Sequence, residues 1–128
     1  MIELLERGRK FSIIFAIIVA LEIFLVSSIP GSTISSKLDF SIAYHLISFF
    51  LFNLFILILV ANKGKIIAKK LILILFISLT YAALDELHQF FVPLRTPGIT
   101  DFLLDCSGIF LSTFIYKYYW QRKLSDKA

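Results

Sequence analysis

The sequence predicts an all-α membrane protein, one domain over residues 1–128 folded as a bundle of four transmembrane helices, and three observations carry that prediction. First, 59% of the residues are hydrophobic before glycine is counted, against about 45–50% with glycine included in a soluble domain. Second, fourteen Phe and five Tyr with a mean hydropathy of +0.88 leave too little polar surface to cover a soluble globule. Third, the apolar residues fall in four runs close to the about 20 residues that a spanning helix needs, with none of the period-two alternation of a β-barrel.

The first span covers about 11–29, interrupted by Glu22 and closed by the turn-rich SSIPGS. With Arg7, Arg9 and Lys10 ahead of it and Val26 and Ser28 near its end, it also has the outline of a cleavable signal peptide. Its length and Glu22 favour a retained span. The second covers about 42–61, with His45 near its start and Asn53 past its middle. The third covers about 71–92 and is uncharged to Leu84, then carries Asp85, Glu86 and His88 before Pro93. The fourth covers about 102–120, with Asp105 one turn inside it and the aromatic cluster Tyr116, Tyr118, Tyr119 and Trp120 at its end. A single cysteine, Cys106, excludes an internal disulfide and reads as a small packing residue.

A net charge of +4 would by itself suggest an acidic partner, but placement along the spans removes that reading, nucleic acid included. Eleven of the thirteen bases lie in the N-terminal segment, the loop after the second span and the C-terminus. Lys37 and Arg95 alone fall on the other side. Positive segments resist translocation, so both termini are expected in the cytoplasm, in a multi-pass protein of the cell membrane. The lysines from Lys63 to Lys70 read as a topology anchor that can also touch anionic lipid. Six of the nine acids, Glu22, Asp39, Asp85, Glu86, Asp101 and Asp105, fall in the outer half.

Those acids are costly, because a charge at the centre of a spanning helix is disfavoured by about 2.5–3.5 kcal/mol on insertion scales. Helical spacing gathers them into stripes: Ser78, Tyr81, Asp85 and His88 on the third span with Gln89 beside them, Asp101, Asp105, Gly108 and Ser112 on the fourth, and Ser41, His45 and Ser48 on the second. Such stripes face protein rather than lipid and define an outward pocket. Structural readings compete with a functional one. Asp101 suits the first turn of a helix, Ser27, Ser28, Pro30 and Gly31 suit a turn, and Arg95 could bridge Asp105 or Glu86 in an inter-helix lock. As a site, the pocket offers Asp85, Glu86 and His88 as candidate catalytic groups, and His45, Gln89, Arg95, Asp101 and Asp105 as candidate ligand-binding groups. Asp85, His88 and Asp105 could supply ligands to a divalent metal, the expected cofactor if there is one. Metal-free acid–base chemistry, with Arg95 holding a phosphate, is the alternative.

The segment DELHQFFVPLRTPGITDFLLDCSG, Asp85 to Gly108, resembles the VanZ-like family of small membrane proteins. It is similar to that family's D-E-x-H-Q-x-F-x-P-G-R pattern followed by D-x-x-x-N-x-x-G, and weaker agreement extends to SSIPG and to His45 in AYHLISFF. By position, Asp85, Glu86, His88, Gln89, Pro93, Arg95, Asp101 and Gly108 carry the motif. Leu94 stands where the family has glycine, and Asp105 where it has asparagine. The family's Asp-Lys pair before the histidine is unmatched, Asp39 lying upstream with no lysine between. The resemblance implies a four-helix membrane protein of the cell envelope, in a family named for low-level resistance to a lipid-tailed glycopeptide antibiotic. The expected partners are the bilayer, an amphiphilic or lipid-linked molecule and, in a homo-oligomer, further copies of the chain. Two other functions remain open: a membrane-embedded hydrolase or transferase acting on a lipid headgroup, and an oligomeric ion or proton pathway through Glu22, Asp85 and Asn53.

Overall fold

The computed structural model describes residues 8–31, 38–61 and 65–125. Of the bases used to orient the chain, Arg7, Lys37, Lys63 and Lys127, and the side chains of Arg9 and Lys10, lie outside this description, as does the side chain of Asp39. The protein is all-helical, with no strand among the described residues. Helix α1 is Arg9–Ser27, α2 Leu38–Val60, α3 Ala68–Phe90 and α4 Ile99–Ser125. Three of them contain stretches long and apolar enough to cross a membrane, Phe40–Val60, Ala68–Phe90 and Ile99–Trp120. The apolar part of the first, Phe11–Ser27, is shorter.

Helix bounds differ from the sequence expectation by up to five residues, because backbone hydrogen bonding continues into polar flanks that a hydropathy boundary cuts off. At the other extreme α3 stops two residues early. Pro93 disfavours helical backbone at Val92, and the last turn closes with Phe91 N–H donating to His88 and Val92 N–H to Gln89.

Helix α2 is the centre of the bundle. It packs against α1, α3 and α4, most extensively against α4, whereas α1 and α4 make no contact among the described residues. The α2–α4 approach depends on Gly108. A methyl group at its Cα would come within 2.4 Å of the Leu46 carbonyl oxygen and 2.9 Å of the Phe50 nitrogen, both backbone atoms. Small residues permit such close crossings in membranes. One apolar core, Ile23, Phe49, Phe52, Ala82 and Ile109, lies under the end where α1 finishes and α2 begins. The other, Leu54, Leu57, Ile58, Ala61, Ile74, Tyr116 and Trp120, fills the end nearer the chain termini. Large apolar side chains on α1, Phe11, Ile14, Ile18, Leu21 and Leu25 among them, stay exposed, as expected of a surface whose solvent is lipid.

Lys65, Lys69, Lys70, Lys117, Arg122 and Lys123 all belong to the end of the bundle that carries the termini. The candidate site residues belong to the opposite end.

Candidate functional site

Three of the four helices, α2, α3 and α4, each place a buried polar residue within about 10 Å of this far end, at 1.5 Å rise per residue. His45 sits seven residues into α2, Asp85 five residues before the end of α3, and Asp105 six residues into α4. All three are buried. Nδ1 of His45 and Oδ1 of Asp105 share a 2.9 Å hydrogen bond, and Nε2 of the same ring lies 3.8 Å from Oδ2 of Asp101. Asp105 is 0% exposed, yet its second oxygen, Oδ2, meets no donor. Asp85 is held in place by Gln89, whose amide donates to Asp85 Oδ2 at 2.8 Å and more weakly to Ser27 Oγ at 3.4 Å. Donor atoms of His45, Asp85 and Asp105 lie within 4.8 Å of one another, close enough to address one cation.

The stripes on the second and fourth spans face the bundle interior as the spacing predicts. Asp105, Gly108 and Ser112 are buried with Asp101 at the rim, and so are His45 and Ser48. On α3 the buried face is rotated from the predicted one. It runs Ile74, Ser78, Ala82, Asp85 and Gln89, leaving Tyr81 and His88 at the edge. Tyr81 donates to the Ala20 carbonyl on α1 at 2.6 Å. His88 pairs through Nε2 with Ser28 Oγ at 2.9 Å and packs its ring 4.8 Å from that of Phe24. The donor atoms that converge are those of His45, Asp85 and Asp105, while His88, expected beside Asp85 and Asp105, pairs with Ser28. The physical reason is that α3 turns its Asp85–Gln89 edge, rather than its His88 edge, toward α2 and α4.

The expected Arg95 lock is also absent, since no ion pair joins Arg95 to Asp105 or Glu86 among the described residues. Arg95 lies in a tight turn, its N–H donating to the Val92 carbonyl at 3.2 Å. The preceding residue, Leu94, has φ +59°, the left-handed region that glycine enters without steric cost. This turn rests on Gly31, whose N–H donates to Pro93 O at 3.1 Å. A Cβ at Gly31 would fall 1.8 Å from Leu94 O, so SSIPG serves as the floor of the loop that carries Arg95. At the mouth, Asp101 is 29% exposed, and Glu86 presents a buried Oε1 without a partner. Beside Glu86 an open groove of about 440 Å³ runs along Leu87, Phe90, Ile99 and Phe102 between α3 and α4.

A second polar layer lies eight residues, about 12 Å, further along α2. Asn53 Nδ2 donates to Ile109 O at 3.0 Å, Ser112 Oγ at 2.7 Å and Thr113 Oγ1 at 2.9 Å, and Asn53 Oδ1 accepts from Ser78 Oγ at 2.8 Å. It ties α2, α3 and α4 together through neutral groups. Sequence reasoning marked Asn53, and placed Ser78 and Ser112 on inward stripes, but did not join them or Thr113 to Asn53, and it left Ser27 and Ser28 as turn residues rather than as the anchors of Gln89 and His88. The signal available for Asn53 was its position in a long apolar run, where an amide must find partners.

Residues 11–121 match the family model described as VanZ/LLP1. The chain belongs to the VanZ/LLP1 family. The match reaches into all four helices and includes every residue of the polar cluster, so in this VanZ/LLP1 protein both the segment Asp85 to Gly108 and the buried His45–Asp105 pair fall within the family match. Searches among curated proteins and among solved structures each return no match.

Proposed function

We propose that this VanZ/LLP1 protein recognises an amphiphilic or lipid-linked molecule at the end of its bundle opposite the termini. On this reading it is a multi-pass protein of the cell membrane with both termini cytoplasmic and the cluster facing outward. The observation that carries the reading is the conjunction of a buried carboxylate oxygen lacking a donor, Asp105 Oδ2, with an open apolar groove that begins at Glu86. A polar headgroup is drawn to the ionisable cluster through the rim at Asp101 and Glu86, while an acyl chain lies along Leu87, Phe90, Ile99 and Phe102. Asp101 and Glu86 favour a headgroup with donors, such as hydroxyl or ammonium groups, over a bare anion.

A second reading, a hydrolase or transferase acting on such a headgroup, is supported by the 2.9 Å His45–Asp105 contact, since an imidazole oriented by a carboxylate is the usual pairing for a general base.

Mass spectrometry of lipids that copurify with the protein tests both. A defined amphiphile enriched over the bulk membrane lipid, and lost in Asp101→Asn/Glu86→Gln, supports recognition. A lipid profile identical to bulk membrane in the unaltered and doubly substituted proteins overturns it. Accumulation of an uncleaved amphiphile in His45→Gln supports the second reading. Orientation is read separately in a Cys106→Ser background, where Thr96→Cys reacts with an impermeant thiol reagent from outside and Lys65→Cys does not.

A further inference from the structure

We infer that His45, Asp85 and Asp105 form a binding site for one divalent transition-metal ion of the zinc or manganese type. The inference rests on the reading of this cluster as a site, but not on the nature of the amphiphile.

Three helices deliver the donors. His45 comes from α2, Asp85 from α3 and Asp105 from α4, and one ligand atom from each lies within 4.8 Å of the others. The cluster is more than a group of acids, because it includes an imidazole and because its most buried member is incomplete. Asp105 is wholly inaccessible, its Oδ1 is engaged by His45, and its Oδ2 is enclosed without a donor. Leaving a buried carboxylate oxygen unpaired is expensive, and no proton on His45 supplies the missing partner, since the ring already faces Oδ1 and Asp101.

Charge balance points the same way. Asp85 and Asp105 are both buried in a spanning bundle, and one imidazolium would neutralise only one of them. A divalent ion with a neutral imidazole and two carboxylates sums to zero, which is the least costly state at this depth.

Donor atoms within 4.8 Å of one another must close by a few tenths of an ångström, since two bonds of about 2.1 Å span at most about 4.2 Å. His45 Nδ1 and Asp105 Oδ1 are 2.9 Å apart, close to the edge of about 3.0 Å between adjacent ligands on an octahedral ion with bonds of about 2.1 Å, and Asp105 would bring its unpaired Oδ2 to the same ion by binding through both oxygens. Coordination through Nδ1 leaves Nε2–H directed at Asp101 Oδ2, 3.8 Å away. A ligating histidine ordinarily gives its other N–H to a carboxylate, which fixes the ring. Gln89 does the same for Asp85 from the far side. An imidazole nitrogen with two carboxylates favours zinc, manganese or iron(II) over calcium. His88 takes no part, being held by Ser28 and packed at a tilt against Phe24.

The test uses the full chain in detergent, dialysed against metal-free buffer and titrated with ZnCl2 and MnCl2. Elemental analysis before dialysis is expected to find about one zinc or manganese per chain, and Asp105→Asn or His45→Gln weakens binding at least about tenfold. His88→Gln leaves it unchanged. Because a ligand variant can fail to fold, the unaltered protein provides an independent measurement: EDTA lowers its thermal midpoint and ZnCl2 or MnCl2 restores it. The inference is overturned if the unaltered protein takes up neither ion and its midpoint ignores EDTA, or if Asp105→Asn binds as tightly as the unaltered chain. Lipid analysis of the same samples keeps the two readings apart, since bound metal without an enriched lipid removes the amphiphile proposal alone, and enriched lipid without metal removes this one alone.

Discussion

Two buried polar layers about 12 Å apart along α2 meet the cost of burying polar atoms in opposite ways. The Asn53 layer is neutral and closed: one amide engages Ser78, Ser112, Thr113 and the Ile109 carbonyl, and its members have no exposed path. The His45 layer is ionisable and open: Asp105 Oδ2 and Glu86 Oε1 lack donors, and Asp101 reaches the surface. Both layers are made by the same three helices, so the difference is not one of packing quality. A layer that only holds helices together is expected to satisfy its hydrogen bonds internally, as Asn53 does, whereas one left unsatisfied is a candidate for binding.

Gly108 lies between the layers, and its replacement is expected to have the largest effect because it removes both together. In Gly108→Ala the new methyl meets backbone at Leu46 and Phe50, which neither helix can move aside cheaply. A loss of about 3 kcal/mol, the upper part of the range for overpacking, should appear as a lowered thermal midpoint with copurified ligand lost in proportion to folded protein. Normal stability in Gly108→Ala would show that the α2–α4 approach is looser than the geometry requires.

Asn53→Leu separates the layers. It strands the Ser78 hydroxyl and removes the links to α4, for an expected cost of about 1–2 kcal/mol, since side-chain hydrogen bonds in membranes are individually modest. Copurified lipid and metal per folded chain should be unchanged. Should Asn53→Leu remove the ligand while the protein stays folded, the two layers would be one functional unit and the contrast between them would fail.

Asp105→Asn is the mirror experiment. In EDTA it is expected to be as stable as the unaltered chain or up to about 1 kcal/mol more so, because it removes a buried charge and supplies an amide that can still face His45. Bound metal is expected to fall at least about tenfold. A destabilisation equal to that of Asn53→Leu, measured by denaturation in EDTA, would mean that the His45 layer is a structural lock after all.

How much of this was legible in the sequence follows the same division. The helices were, because apolar runs and the breakers SSIPG and Pro93 are local signals. The faces of α2 and α4 were, because His45, Ser48, Asp105, Gly108 and Ser112 repeat at helical spacing. The face of α3 was only partly legible: its buried edge passes through apolar Ala82 to Gln89, so a search for a polar stripe selects Tyr81 and His88 instead. Which edge turns inward is decided by packing against two other helices, and that information is not carried by α3 alone. The Asn53 pairing was hidden for the same reason: Ser78 and Ser112 could be placed on inward stripes, but their meeting with Asn53 and Thr113 appears only when three helices are brought together.

The smallest effect expected belongs to the loop above the open layer. Leu94 is held at φ +59°, which costs a residue with a Cβ roughly 1–2 kcal/mol, and its side chain is 77% exposed and so contributes little burial in return. Glycine would relieve that strain and give back about 0.5–1 kcal/mol through the greater freedom of the unfolded loop. Leu94→Gly should therefore raise stability by about 0–1.5 kcal/mol, read as at most a small upward shift of the thermal midpoint, with the Asn53 layer unaffected. The complementary change has no such compensation: Gly31→Ala drives a methyl onto the Leu94 carbonyl, so it should lower the midpoint and displace Arg95. If Leu94→Gly is neutral in stability yet weakens ligand retention, the left-handed turn is maintained for the rim of the site rather than tolerated by it.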